Sequence, residues 1–283
     1  MKSLNKFFKN YQFSLNLVDF KRNKNLAHFL ILTISIGVVI LYLFSGIVKS
    51  TLPILLVLDF VAIISIIKFY KEISIKLMII SFIITILVFI SAVLKSGFSF
   101  FSYIISISTF LCFIASVILS KKKTGVRISS YQMKNKELII SLVLGVLISI
   151  PMAILNIIFL YFSQQQPITF QDPINSILIA IHPALYEEIV YRLLLVNICV
   201  FCLYDRVTKR EMFIVVLLFG TIPHAFLHVI GTISINPIFS MGKVIILILV
   251  FGIIRIIFLW YRDIEMSMGY HWFIDFLRFT AGY

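Results

Sequence analysis

Residues 74–94 read SIKLMIISFIITILVFISAVL. One lysine, Lys76, stands near the start, and no acid, glycine or proline interrupts the run. A bilayer's hydrocarbon core takes about 20 apolar residues to cross, which is the length of this stretch. In lipid a spanning segment must satisfy its own backbone N–H and C=O groups, so it is a helix despite its many β-branched isoleucines. The strict apolar/polar alternation of an outer-membrane barrel strand is absent.

Comparable runs lie on both sides, at about 27–48, 51–68, 98–119, 138–162, 175–203, 212–230, 243–261 and 264–281. The last is short and relatively polar. Composition agrees with this pattern. Of 283 residues, 61% are hydrophobic and 13% charged, with a mean hydropathy of +1.08. Soluble domains carry about 45–50% apolar and about 25% charged residues, so a water-soluble globule is excluded. The expected fold class is all-α, a polytopic transmembrane helical bundle of about 8–9 spans.

The basic residues predict its orientation. With the N-terminus in the cytoplasm and the segments alternating, 19 of the 25 Lys and Arg fall on the cytoplasmic side. Only Lys49, Lys95 and Lys243 fall outside, and Arg192, Arg255 and Arg278 lie within spans. This bias predicts a multi-pass protein of the cell membrane with a cytoplasmic N-terminus. It accounts for the formal charge of +13 without a nucleic-acid partner, for which no motif is present. The expected partners are membrane lipids and a membrane-associated peptide.

Four regions follow. Residues 1–26 form a basic cytoplasmic arm with no small-residue cleavage site, which reads as a topology signal rather than a signal peptide. Residues 27–119 form an N-terminal block of four membrane helices. Residues 120–137, SKKKTGVRISSYQMKNKE, form a basic cytoplasmic loop. Residues 138–283 form the block that carries the chemistry. No internal repeat relates the two blocks, which argues against an inverted-repeat transporter. In the first block the one acid deep in a span is Asp59, read as a helix-packing residue. Cys199 and Cys202 make a CxxC with no matching second pair, and read as small buried hydrophobes.

The acids of the second block are unusual in their placement. Residues 181–197 read IHPALYEEIVYRLLLVN, with Glu187, Glu188 and Arg192 near the middle of a span. An unpaired charge there costs about 2.5–3.5 kcal/mol on insertion scales. Glu188 and Arg192 are i and i+4 and can pair. Glu187 is rotated by about 100°, towards the face of Pro183 and Tyr191, and is left without that partner. A desolvated, unpaired carboxylate is suited to general-base work. The competing reading is a salt-bridge cluster that holds helices together. His182 is read as an interfacial residue near the outer end of the span.

Two further segments carry histidines in register. Residues 217–231, LLFGTIPHAFLHVIG, place His224 and His228 at i and i+4, after Gly220 and Pro223. The pair alone resembles a metal half-site, though not HExxH. Residues 268–280, MGYHWFIDFLRFT, place His271 and Asp275 at i and i+4, with Arg278 close enough to neutralise the acid. An imidazole backed by a carboxylate is an oriented donor or a metal ligand.

Taken in order, Glu187-Glu188-Ile-Val-Tyr-Arg192 matches EExxxR, Phe219-Gly220 followed by His224 is similar to an FxxxH element, and His271-Trp-Phe-Ile-Asp275 matches Hxxx(N/D). On successive helices these resemble the CPBP family of intramembrane proteases. That family includes CAAX prenyl endopeptidases and bacterial Abi-type proteins linked to bacteriocin processing and immunity. Pro183 also resembles the family's approach to its first motif. The resemblance covers roughly residues 175–279. It departs from the pattern at one point: Phe219 and His224 are five apart rather than four. Either the helix is bulged near Pro223 or His228 is the working residue; the Phe-Gly pair favours His224.

The resemblance implies an intramembrane endopeptidase. Glu187, assisted by His224, would activate a water to attack a peptide carbonyl. His271 with Asp275 would hold the oxyanion, and Glu188 with Arg192 would fix the helix. The catalytic candidates are thus Glu187, Glu188, His224, His271 and Asp275, supported by Arg192 and His228. Metal dependence is open. Glu187, His224, His228 and His271 are candidate Zn²⁺ ligands, while the same groups suit a metal-free mechanism. Two other classes remain: a non-catalytic membrane immunity or scaffold protein, and a proton-coupled transporter using the same acids as a relay.

Overall fold

The computed structural model describes residues 31–33, 36, 37, 40, 45, 46 and 50–283, apart from 125, 133, 134, 205 and 234. The basic arm 1–26 and most of the first expected span, 27–48, lie outside the described residues. Among the described residues every regular element is helical, which makes the chain all-α. Five helices are long and apolar enough to cross a membrane: Ile75–Ser96, Phe100–Lys122, Asn135–Gln164, Lys209–Leu227 and Pro237–Tyr261. Their outward faces are apolar; Ile79, Phe82, Ile83 and Ile90, for example, are all exposed. A surface of that extent is suited to lipid rather than to water.

Among the residues described from 50 onward, three helices come first: α1 (Leu52–Lys68), α2 (Ile75–Ser96) and α3 (Phe100–Leu119). Ser74 and Ser99 cap the last two, accepting from Leu77 N and Ser102 N. The α3 helix is central: from Cys112 to Leu119 every residue is buried. It packs on α1, on α2 and on the helices that carry the Glu pair. Asp59 of α1 accepts from Ser108 Oγ at 2.7 Å and from the Cys112 thiol at 3.8 Å, both on α3. The packing role expected of Asp59 is therefore what its contacts describe.

The loop expected over 120–137 is more ordered than its composition suggests. A π turn, Ser120–Thr124, is followed by a one-turn helix, Ser129–Gln132, and α4 (Asn135–Gln164) already begins inside the expected loop. Lys122 Nζ pairs with Glu72 at 2.5 Å. That hydrogen bond holds the Glu72 carboxyl below its ordinary range. Further along, Ser129 N and Ser130 N donate to Glu265, and Ser129 Oγ donates to Asp263 at 2.9 Å. Two acids at the start of the last helix thus anchor the loop, which a count of its lysines does not reveal.

The expected single helix over 175–203 is broken. α5 (Pro173–Ile179) ends before α6 (Ile181–Glu187), a π turn follows at Glu188–Leu193, and α7 (Leu194–Leu203) completes the segment. The first break has a direct cause. Pro183 has no N–H to give the carbonyl four residues back, Ile179 O. Ser91 Oγ of α2 donates to that carbonyl instead, at 3.1 Å, and accepts from His182 N at 2.8 Å. A serine on another helix therefore satisfies the backbone that proline leaves open.

The chain continues with α8 (Lys209–Leu227), α9 (Pro237–Ile246), a π turn at Leu247–Gly252, α10 (Ile253–Tyr261) and α11 (Ile264–Thr280). A capping box, Thr208 with Glu211, opens α8, and Asp263 caps α11. α4 and α11 lie close together through two glycines. A Cβ at Gly145 would sit 2.3 Å from Met266 O, and one at Gly269 would sit 2.5 Å from Leu142 O. This is the small-residue contact by which membrane helices approach each other. It seats α11, with His271 and Asp275, against the bundle.

Candidate functional site

The site is built on the π turn Glu188–Leu193 and on α6, α8, α10 and α11. The turn Glu188–Leu193 widens the helix where the Glu pair sits. Such bulges recur at functional sites because they re-aim side chains. Here Tyr186 and Tyr191, five apart, share a hydroxyl hydrogen bond of 2.7 Å. Tyr191 is thereby engaged with Tyr186 on its own helix. His182 is half-buried and stacks on Tyr186 with ring centroids 5.8 Å apart, which ties it into this packing rather than leaving it at an interface.

Glu188 is fully buried and surrounded by donors. Arg192 pairs with its Oε2, as the i, i+4 spacing predicts. Ser267 Oγ donates to the same oxygen at 2.6 Å. Arg255 Nη1 lies 2.9 Å from Oε1, and His271 Nδ1 is also 2.9 Å from it. Arg192 Nε in turn donates to Gly220 O of α8 at 3.2 Å. Glu188 therefore joins four helical segments. A carboxylate so placed repays its desolvation through several hydrogen-bonded charges rather than one.

Glu187 is different. Its Oε2 is buried and has no hydrogen-bond partner. Two imidazoles face it at longer range, His224 Nε2 at 3.4 Å and His271 Nε2 at 3.7 Å. Beyond His271, Asp275 Oδ2 is 3.5 Å from the same Nε2 and is likewise without a hydrogen bond. The other Asp275 oxygen is held by Arg278 Nη2 at 3.1 Å. The two open carboxylate oxygens and the two ring nitrogens thus point into one space. Its spacings are longer than ordinary hydrogen bonds, and a water bonded to two of these groups would lie to one side of them.

His224 is buried at 3% exposure, whereas His228 is exposed. Their Nε2 atoms are 3.5 Å apart. α8 runs without a bulge through Pro223. The five-residue spacing from Phe219 is therefore not taken up by a distorted helix. Both histidines reach the same region, His224 directly beside Glu187 and His228 on its outer side. Ligand atoms of Glu187, His224 and His228 all lie within 4.8 Å of one another. The helix itself is held close by Gly220, where a Cβ would meet Ile256 Cδ1 at 2.2 Å.

All seven residues singled out in the sequence come together. Two residues of the cluster escaped that reading: Ser267, which donates to Glu188, and Arg255, which is 5% exposed and touches both Glu188 and His271. The signal was present, since a lone arginine inside the run IILILVFGIIRIIFLWY is as costly as a lone glutamate. Beside the site lies a wholly apolar groove of about 440 Å³, lined by Leu87, Val143, Ala184, Leu185, Met268 and Trp272 among others. The chain matches no protein-family profile, no curated protein and no solved structure.

Proposed function

We propose that this chain is an intramembrane endopeptidase of CPBP type that cleaves a membrane-associated peptide. The reading takes the expected eight or nine spans, a cytoplasmic N-terminus and the cell membrane as its setting, on the strength of the basic-residue bias. The observation that carries it is the open oxygen of Glu187, 3.4 Å from His224 Nε2 and 3.7 Å from His271 Nε2. A packing residue gains nothing from a carboxylate kept without a hydrogen bond. A general base does, because the proton it takes has a place to go.

In this mechanism Glu187 takes a proton from a water held between it and His224. The water attacks the peptide carbonyl, and the charge that develops on the carbonyl oxygen is met by His271 Nε2–H, with Asp275 beside it; the intermediate then collapses, the C–N bond breaks, and the proton held by Glu187 passes to the leaving amine. Glu188, fixed by Arg192, Arg255 and Ser267, holds His271 from behind and keeps the Glu helix in register. The substrate's apolar stretch lies along the groove that Trp272 and Leu185 line. Processing or immunity in a bacteriocin system suits such an activity better than cleavage of a prenylated protein.

A second reading rests on the compact Glu187, His224 and His228 group. Two imidazoles and a carboxylate are a donor set that fits Zn²⁺, with a fourth position open. These three residues would hold the ion, which when bound would supply Lewis acidity and a more acidic water. Metal analysis of the purified protein, with and without dialysis against a chelator, distinguishes the two readings.

The test of the proposal compares peptide termini in membranes of cells that express the wild-type chain or Glu187→Gln. New termini in the wild type should fall about 10²–10⁴-fold in the variant, the span expected for a lost general base, at equal membrane abundance. Identical termini would instead favour a scaffold or immunity protein. Proton-driven flux lost in the variant would favour a transporter.

A further inference from the structure

Three cations stand at the rim of the site, and the mechanism uses none of them. Lys95 is in the last turn of α2, Lys243 lies in α9, and Arg278 is in the last turn of α11. Lys95 Nζ lies 4.7 Å from the centroid of the Phe279 ring, and Arg278 Cζ lies 4.6 Å from the same centroid. Lys243 Nζ donates to His228 O at 3.4 Å. Arg278 is close enough to repel both lysines. The basic-residue bias leaves Lys49, Lys95 and Lys243 on the side opposite the N-terminus, and two of those three meet at this one place.

Like charges held together call for a counter-charge. Asp275 supplies one, with Oδ1 3.1 Å from Arg278 Nη2. Lys95 and Lys243 make no ion pair among the described residues, and the buried Nε of Arg278 has no acceptor. Even with Asp275 and Glu187 both ionised, three positive charges face two negative ones. A lysine at a helix end can extend towards lipid phosphates. Lys95 instead lies over Phe279, and its charge acts on Asp275 and Glu187, the two acids of the gap.

The apolar groove runs up to this rim along the same two helices. Leu87 and Trp272 line it. Lys95 lies about 12 Å beyond Leu87 along α2, and Phe279 about 10 Å beyond Trp272 along α11, at ~1.5 Å per residue. From His271 Nε2 the path to Arg278 passes through Asp275, 3.5 Å to Oδ2 and 3.1 Å from Oδ1 to Nη2. Two or three extended residues cover such a path, at about 3.3–3.6 Å each.

We propose that Lys95, Lys243 and Arg278 form a specificity subsite for a carboxylate carried by the peptide, within about three residues of the bond that is cut. The carboxylate is an acidic side chain or a C-terminus. The arginine offers planar paired donors that match it, and the lysines add charge. The effect on cleavage rests on the peptidase reading above; the preference for an anionic peptide does not.

The experiment measures binding and cleavage of synthetic peptides by the full chain in phosphatidylcholine nanodiscs. The probes are fluorescent Leu/Ala peptides of about 20 residues, blocked at both ends, with one Asp, Asn or Lys near the C-terminus. A further Asn peptide has a free C-terminal carboxylate. Binding is measured on Glu187→Gln, which prevents turnover. The Asp peptide or the free-carboxylate peptide should bind about tenfold more tightly than the blocked Asn peptide, and the one that does identifies the source of the carboxylate. Adding Lys95→Glu and Lys243→Glu should reverse the preference in favour of the Lys peptide. Equal binding of all the peptides, binding of none, or no reversal in the folded variant would overturn the proposal. Loss of the preference when phosphatidylglycerol is added would overturn it as well, by assigning the cations to lipid headgroups. If the wild type fails to cut a peptide that shows the preference, the peptidase reading falls and the subsite stands.

Discussion

The two halves of the molecule treat polar groups in opposite ways. In α1–α3 half of the buried hydroxyls serve their own helix. Ser65 donates to Val61 O, Ser81 to Leu77 O, Ser106 to Ser102 O and Thr109 to Ile105 O. The deepest acid there, Asp59, is half-buried and satisfied by two neighbours on α3. In the second block charged groups reach across between helices. Glu188 gathers Arg255, Ser267 and His271 from two other helices and Arg192 from a turn away, while Glu187 and Asp275 each keep an open oxygen. In lipid, local satisfaction of a hydroxyl costs little, whereas converging charges must hold one another. The difference separates helices that only need to pack from helices that must also present a site.

The comparison is broken most severely at Glu188. Glu188→Ala would leave two guanidiniums, Arg192 and Arg255, buried side by side without their shared counter-charge. Removing one partner of a buried pair typically costs about 3–5 kcal/mol. The variant is expected to lose that stability in denaturant unfolding of the detergent-solubilised protein, and to accumulate poorly in membranes. Restoring part of it by adding Arg255→Leu would sharpen the point, since the double variant buries one charge fewer. A Glu188→Ala protein as stable as the wild type would show that the second block is not organised around this carboxylate.

How much of this was legible beforehand follows the same division. The helices were readable because lipid leaves a long apolar run no other conformation, and 51–68, 74–94 and 98–119 fall within a few residues of α1–α3. The Glu188–Arg192 pair was readable because i, i+4 contact is local geometry. The breaks in 175–203 were not. Pro183 announces a lost hydrogen bond, but that Ser91 repairs it depends on a helix 91 residues away in sequence. Likewise the acids Asp263 and Glu265, ordinary in a turn between helices, anchor a loop more than 130 residues earlier. Arg255 was missed for want of a motif, although its burial cost is as visible in the sequence as that of Glu187.

A smaller effect is expected where the second block meets itself. Gly145 and Gly269 let α4 and α11 touch backbone to backbone. Gly145→Val would drive its Cβ towards Met266 O and Tyr270 N, which are backbone atoms and cannot rotate away. Overpacking of a tight contact typically costs about 1–3 kcal/mol. The shift would displace α11 as a rigid body, and with it His271 and Asp275. Thermal unfolding should register the lower figure, and the His271 resonances should move although the substitution lies on another helix. Unchanged resonances would mean that the site does not depend on this helix contact.

The smallest effect tests the first block. Asp59→Asn removes a charge from the span but keeps an oxygen that can accept from Ser108, and the site is half-open to its surroundings. A hydrogen bond to a charged group contributes about 1.5–3 kcal/mol and a neutral one about 0.5–1.5 kcal/mol. The difference, about 1 kcal/mol, is offset by the desolvation that the neutral amide no longer suffers. Stability should therefore change by less than about 1 kcal/mol, with no change in the termini that distinguish wild type from Glu187→Gln. Should Asp59→Asn instead abolish those termini while the protein stays folded, the first block would be part of the machinery. The contrast between packing helices and site helices would then fail at the one acid in α1 where it is most exposed to refutation.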